Sequence, residues 1–123
     1  MKKIIFTTLL FCGLAFTANS QSLTYSKVIL LTALDTVPQG KVWKVTSYTA
    51  NDSPTYNTSS FVKCKFNNIS HNLATMFIIG NSAYGYSSTR EGSLPIWLPA
   101  GTTVDLFTNC TGLSIIEFTE NNQ

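Results

Sequence analysis

Cys64 and Cys110 are the two residues whose types and spacing most directly specify a chemistry. A pair of thiols can ligate a metal, act as nucleophiles or oxidise to a disulfide. A structural zinc site needs four convergent nitrogen and sulfur ligands, and with His71 the sole histidine that set is incomplete. In a chain that enters an oxidising compartment an even pair reads as a disulfide, with two separately buried thiols as the competing reading. The bridge would close a loop of roughly 46 residues, for which chain entropy gives on the order of 4 kcal/mol.

Other reactive side chains are sparse. His71 lies in Asn68-Ile69-Ser70-His71-Asn72, a segment that reads as a turn, and no Gly-x-Ser-x-Gly elbow supplies it with a nucleophile. A glycosidase needs two opposed carboxylates. Asp105 and Glu117 are the acids inside predicted strands, and both read as outward or edge residues that discourage aggregation. The acids stand singly, so no calcium loop is present, and neither is a phosphate-binding or dinucleotide fingerprint. No enzyme and no cofactor are expected, a small secreted hydrolase being the weakest reading considered.

The aromatics offer a binding chemistry instead. Tyr84 and Tyr86 in Tyr84-Gly85-Tyr86, Tyr56 in a long polar segment, and Trp97 and Trp43 in strands could present flat faces to the apolar side of a sugar ring. Tyr84 and Tyr86 are two residues apart, so an extended backbone puts them on one side. Core or interface filling is the competing use of both tryptophans.

The first residues say where the chain goes. Met1-Lys2-Lys3, an apolar run from Ile4 to Phe16 and the small-residue stretch Thr17-Ala18-Asn19-Ser20 follow the order of a secretory signal peptide, with cleavage expected after Ser20. Thr7, Thr8 and Gly13 interrupt the run, which falls short of the roughly 20 residues of a membrane span. Lipidation at Cys12 is a lesser alternative, because Phe11 before it is bulky for that processing. A secreted or cell-surface location is expected, with the periplasm as a variant.

Removing residues 1 to 20 also removes Lys2 and Lys3. Lys27, Lys41, Lys44, Lys63, Lys65 and Arg90 then balance Asp35, Asp52, Glu91, Asp105, Glu117 and Glu120. A neutral, charge-poor chain lacks the basic surface that neutralises nucleic-acid phosphates and offers little attraction to anionic lipid, so neither partner class is expected. What remains, residues 21 to 123, is one domain of about 100 residues.

The elements that must position these side chains are strands. Short β-branched and apolar runs recur at Lys27–Ala33, Lys41–Ala50, Ser60–Asn67, Leu73–Ile79, Leu94–Leu98, Thr103–Thr108 and Leu113–Thr119, with a weaker one at Tyr84–Ser88. Val37-Pro38-Gln39-Gly40, Pro99-Ala100-Gly101, Gly80-Asn81 and Thr111-Gly112 read as turns, Asn51–Ser60 as a long loop and Gln21–Ser26 as a polar leader. Seven or eight strands at this spacing predict an all-β fold, a single β-sandwich of jelly-roll type. Period-2 alternation turns Val62, Cys64 and Phe66 to the core and Lys63 and Lys65 outward, and sets Ile116 and Phe118 opposite Ile115 and Glu117. Val28-Ile29-Leu30-Leu31 and Leu73–Ile79 are apolar on both faces, which predicts cover on two sides, inside a tight sandwich or at a subunit contact.

Gly40-Lys41-Val42-Trp43-Lys44-Val45, Pro95-Ile96-Trp97-Leu98-Pro99-Ala100-Gly101-Thr102-Thr103-Val104 and Leu113-Ser114-Ile115-Ile116-Glu117-Phe118 together give the chain a recognisable order. In it the chain resembles small exported β-sandwich proteins of Bacteroidota and, more distantly, jelly-roll modules of phage tails and fibres. That resemblance implies a surface or secreted module, often trimeric among the fibre proteins, without an established enzymatic role and without binding residues to carry over. The expectation is an exported structural or interaction protein that meets a protein partner or its own copies, with a carbohydrate-binding module as the alternative.

Overall fold

A computed structural model describes residues 22–51, 58–80 and 86–121. The expected signal peptide, Cys12, Tyr56, Tyr84 and most of the Asn51–Ser60 loop lie outside them. Among the described residues there are nine strands: β1 (Ser22–Leu31), β2 (Asp35–Thr36), β3 (Lys41–Ala50), β4 (Thr58–Phe66), β5 (Ile69–Ile79), β6 (Tyr86–Glu91), β7 (Ile96–Leu98), β8 (Thr103–Leu106) and β9 (Cys110–Asn121).

They form a four-stranded sheet, β1-β9-β3-β7, and a five-stranded sheet, β2-β8-β4-β5-β6. Every pairing is antiparallel, and the pairs β1/β9, β2/β8, β3/β7 and β4/β5 alternate between the sheets. That alternation is what results when one long hairpin is rolled over itself, so the β-sandwich is a jelly roll with β6 added at one edge.

Local sequence explains the corners. The carbonyl of Pro38 accepts from the Lys41 amide at 3.1 Å with Gly40 at φ 71°, and that of Pro99 accepts from Thr102 at 3.2 Å with Gly101 at φ 83°. Each is a Pro-x-Gly turn with glycine in the left-handed third position, one residue later for the first than the Val37–Gly40 frame expected from sequence. Val37 joins the two, donating to Thr102 O and accepting from the Gly101 amide, both at 2.9 Å, while its side chain is buried.

Four expectations are corrected. The polar leader is part of β1, which begins at Ser22 and pairs along nearly the whole of β9. The turn expected around His71 falls earlier, at Asn67 and Asn68, whose φ values of 50° and 65° suit a two-residue hairpin; His71 lies within β5, its ring 4.9 Å from Phe66. The turn placed at Thr111-Gly112 is made by Phe107–Cys110 with Asn109 at φ 56°, leaving Gly112 inside β9. β2 has no counterpart among the predicted strands, because two residues carry no periodicity.

The interior follows the pleat. Leu31, Trp43, Val45, Leu98, Leu113 and Ile115 come from the four-stranded sheet, and Val62, Cys64, Phe66, Leu73, Ala74 and Val104 from the other. Leu73 and Ala74 are both buried although adjacent, because a bulge opposite Val62 and Lys63 turns two successive side chains inward.

The expected Cys64–Cys110 disulfide is not formed, and both are buried free thiols. Cys64 points inward from mid-β4 as the alternation predicts, whereas Cys110 opens β9 in the opposite sheet and its Sγ donates to Gly112 O at 3.5 Å. That bond turns the Cys110 thiol back along its own strand. Burial and then the proximity of Cys110 push the Cys64 thiol up to about 12, and burial raises Cys110 as well. Such thiols are inert packing groups.

Candidate functional site

Glu117 departs most from its sequence reading. It is 3% exposed on the inner face of β9, not an outward or edge residue. Its Oε2 accepts the Trp43 indole N–H at 2.9 Å and its Oε1 the Ser26 hydroxyl at 3.1 Å. Burial raises its pKa, but the two hydrogen bonds and the charges of Lys27 and Lys41 outweigh that and hold it below the usual glutamate value. An ionised carboxylate held by two donors on neighbouring strands pins β1, β9 and β3 together; it does not face a second acid. Asp105, the other half of the glycosidase reading, is on β8 of the opposite sheet, so the fold does not bring the two carboxylates to one groove.

The aromatics are likewise divided. Trp43 is core, 1% exposed. Trp97 is 49% exposed on the outer side of β7, and Tyr86 opens β6 in the other sheet, its backbone paired with Ile79. Tyr56 and Tyr84 are outside the described residues, so of the platform residues whose side-chain setting is defined, Trp43 is buried and Trp97 alone is exposed. A depression of about 360 Å³ is lined, among the described residues, by Thr58, Ser59, Phe77, Ile78 and Ile79, none of them ionisable. Among the described residues no group of three or more His, Cys, Asp or Glu side chains could hold a metal, and no helix is long and apolar enough to cross a membrane.

The surface around Trp97 is a continuous apolar face. Since Trp43, Val45, Ile115 and Glu117 point inward, their strand neighbours point out: Val42 and Lys44 on β3, Ile116 and Phe118 on β9. On β1, Tyr25 lies opposite Phe118, and beyond a bulge Val28 lies opposite Ile116. Leu23, Tyr25, Val28 and Leu30 are 44–65% exposed. Trp97 closes the face on β7, its ring 5.4 Å from Phe118 and covered by the Lys44 ammonium at 5.1 Å.

The two-sided apolar character of Val28–Leu31 is thus met on one side only. Ile29 and Leu31 pack on the core, and Val28 and Leu30 face out. Tyr25 and Leu23 escape the sequence reading because residues 21 to 26 look like a polar leader, and a bulge between Tyr25 and Lys27 breaks the alternation that would have flagged them. The other sheet's outer surface differs: Lys63 lies over the Phe61 ring at 5.0 Å and Lys65 over Phe107 at 4.0 Å, so cations shield its aromatics.

No known protein family, curated protein or solved structure matches the chain.

Proposed function

We propose that this chain is an exported structural or interaction module of a surface or secreted assembly, and that the outer face of its four-stranded sheet is the surface through which it assembles. One observation carries this reading. Leu23, Tyr25, Val28, Leu30 and Trp97 leave large apolar areas in water side by side, whereas isolated exposed hydrophobics need no explanation. With the partly exposed Val42, Ile116 and Phe118 the face presents on the order of 600 Å² of side-chain surface, the upper end of the largest patch on a typical monomer. Its aromatic content and single cation match the composition of interface cores. The N-terminal sequence supports export, and the separation of the acids supports a role other than hydrolysis.

The test is a variant carrying Tyr25→Ser, Val28→Thr and Trp97→Ser. In the exported fraction of the cells that make it, the wild-type chain migrates in an assembly, and the variant, folded to the same far-ultraviolet spectrum, migrates as a free monomer. Equal migration of the two would overturn the assignment.

A further inference from the structure

The arrangement of side chains on this face also selects its occupant. Strand register sorts the outer residues into rows that run across the sheet. Tyr25, Phe118 and Val42 lie in one row; Val28, Ile116, Lys44 and Trp97 form the next row on one side, and Leu23 and Glu120 the next on the other. The central row carries no charge, and its one polar atom is the Tyr25 hydroxyl. The charges are one cation in the first flanking row and one anion in the second, on the adjacent strands β3 and β9.

We infer that the face binds a second copy of this chain, related by a two-fold axis that lies in the interface and runs along the Tyr25–Phe118–Val42 row. Such an axis leaves the central row facing itself, Phe118 against Phe118, and exchanges the two flanking rows. Lys44 of each copy then comes over the row that holds Glu120 of the other, displaced by one strand spacing of about 4.8 Å, which a lysine side chain spans. No like charges on this face meet. Each strand lies over its own counterpart, so the two sheets stack in the aligned manner of sandwich layers, about 10 Å apart. The apolar surface available, on the order of 600 Å², is most of the roughly 800 Å² that each partner contributes to a stable pair. Two-fold pairing needs only one surface patch, and this face contains both halves of its own charge complement.

This inference rests on the reading of the face as an assembly surface, and the experiment separates the two. Sedimentation equilibrium of the purified chain lacking residues 1–20 should show a monomer–dimer equilibrium. Lys44→Glu and Glu120→Lys should each weaken it about tenfold or more, and the double reversal should restore it to within a few-fold of wild type. A monomer at every concentration, a trimer, single reversals that associate like wild type, or a double reversal that stays weak would each overturn the two-fold pair. If in addition the Tyr25, Val28 and Trp97 variant still abolishes assembly in the exported fraction, the assembly reading stands, with another protein as partner where the purified chain is monomeric and a different self-arrangement where it associates; if that variant assembles normally, both fall.

Discussion

The indole of Trp43 and the carboxylate of Glu117 face each other directly across the β3/β9 ladder, hydrogen-bonded at 2.9 Å inside the four-stranded sheet. Ser26 adds a second donor from β1, so the strand bearing Tyr25 and Val28 is tied to the centre of the sheet through one buried anion. The strands that carry the apolar outer face are therefore tied together by a polar contact on their inner side.

Glu117→Leu leaves the Trp43 N–H buried without an acceptor and should cost about 1–3 kcal/mol in urea unfolding at neutral pH. The folded-state pKa of Glu117 is lowered. Its stabilisation is therefore complete above the pKa of the unfolded chain and is lost as pH falls through the lower, folded-state value. Glu117→Gln should flatten the acid side of the stability–pH curve in that window; an unchanged slope would show that the carboxylate is not the anion described.

Native Cys64 and Cys110 should resist alkylation at pH 8, since burial and a Cys64 pKa of about 12 leave almost no thiolate, and both should label promptly in denaturant without added reductant. Labelling that requires reductant would mean that the sulfurs are bonded to each other.

Selective quenching distinguishes the two tryptophans. Emission from a Trp97→Phe variant, which retains the buried Trp43, should be blue-shifted and poorly quenched by iodide. Substituting Trp43→Phe leaves the half-exposed Trp97, whose emission, measured on the chain diluted to monomer, should be red-shifted and readily quenched. Equal quenching of the two variants would contradict the inward and outward assignments on β3 and β7.

Two glycines sit where the backbone leaves no room. A Cβ on Gly92 would lie 2.5 Å from Asn72 O and 3.0 Å from Leu73 O, both main-chain atoms, so Gly92→Ala should cost 3 kcal/mol or more, on the order of severe overpacking. On Gly112 it would meet the Thr49 hydroxyl at 2.7 Å, a side-chain atom, so Gly112→Ala should cost about 1–3 kcal/mol, relieved when combined with Thr49→Ala. Additive losses in that pair would remove the contact as the cause.

The sandwich was legible because alternation is a strong signal in Val62–Phe66 and Val104–Leu106, and because Pro-x-Gly punctuates two of the crossovers between the sheets, β2 to β3 and β7 to β8. Boundaries were less so. Asn67-Asn68 forms a hairpin turn without glycine, and Thr111-Gly112 has turn composition yet sits in a strand, since Gly112 is needed for close packing rather than for reversal. The site was half visible. Val28–Leu31 announced a strand apolar on both faces, of which the fold covers one, but the bulge after Tyr25 hid that strand's first half, and nothing in single-residue preference distinguishes a glutamate that caps an indole from one that faces water.

Radical footprinting of the exported protein, in its assembled state and after dilution to monomer, addresses the outer face itself. Tyr25 and Trp97 should be modified several-fold more slowly in the assembled protein, while Phe107, exposed on the other sheet, reacts equally in both. Equal modification of Tyr25 and Trp97 in the two states would mean that the four-stranded sheet faces water in both, and that assembly proceeds through some other surface.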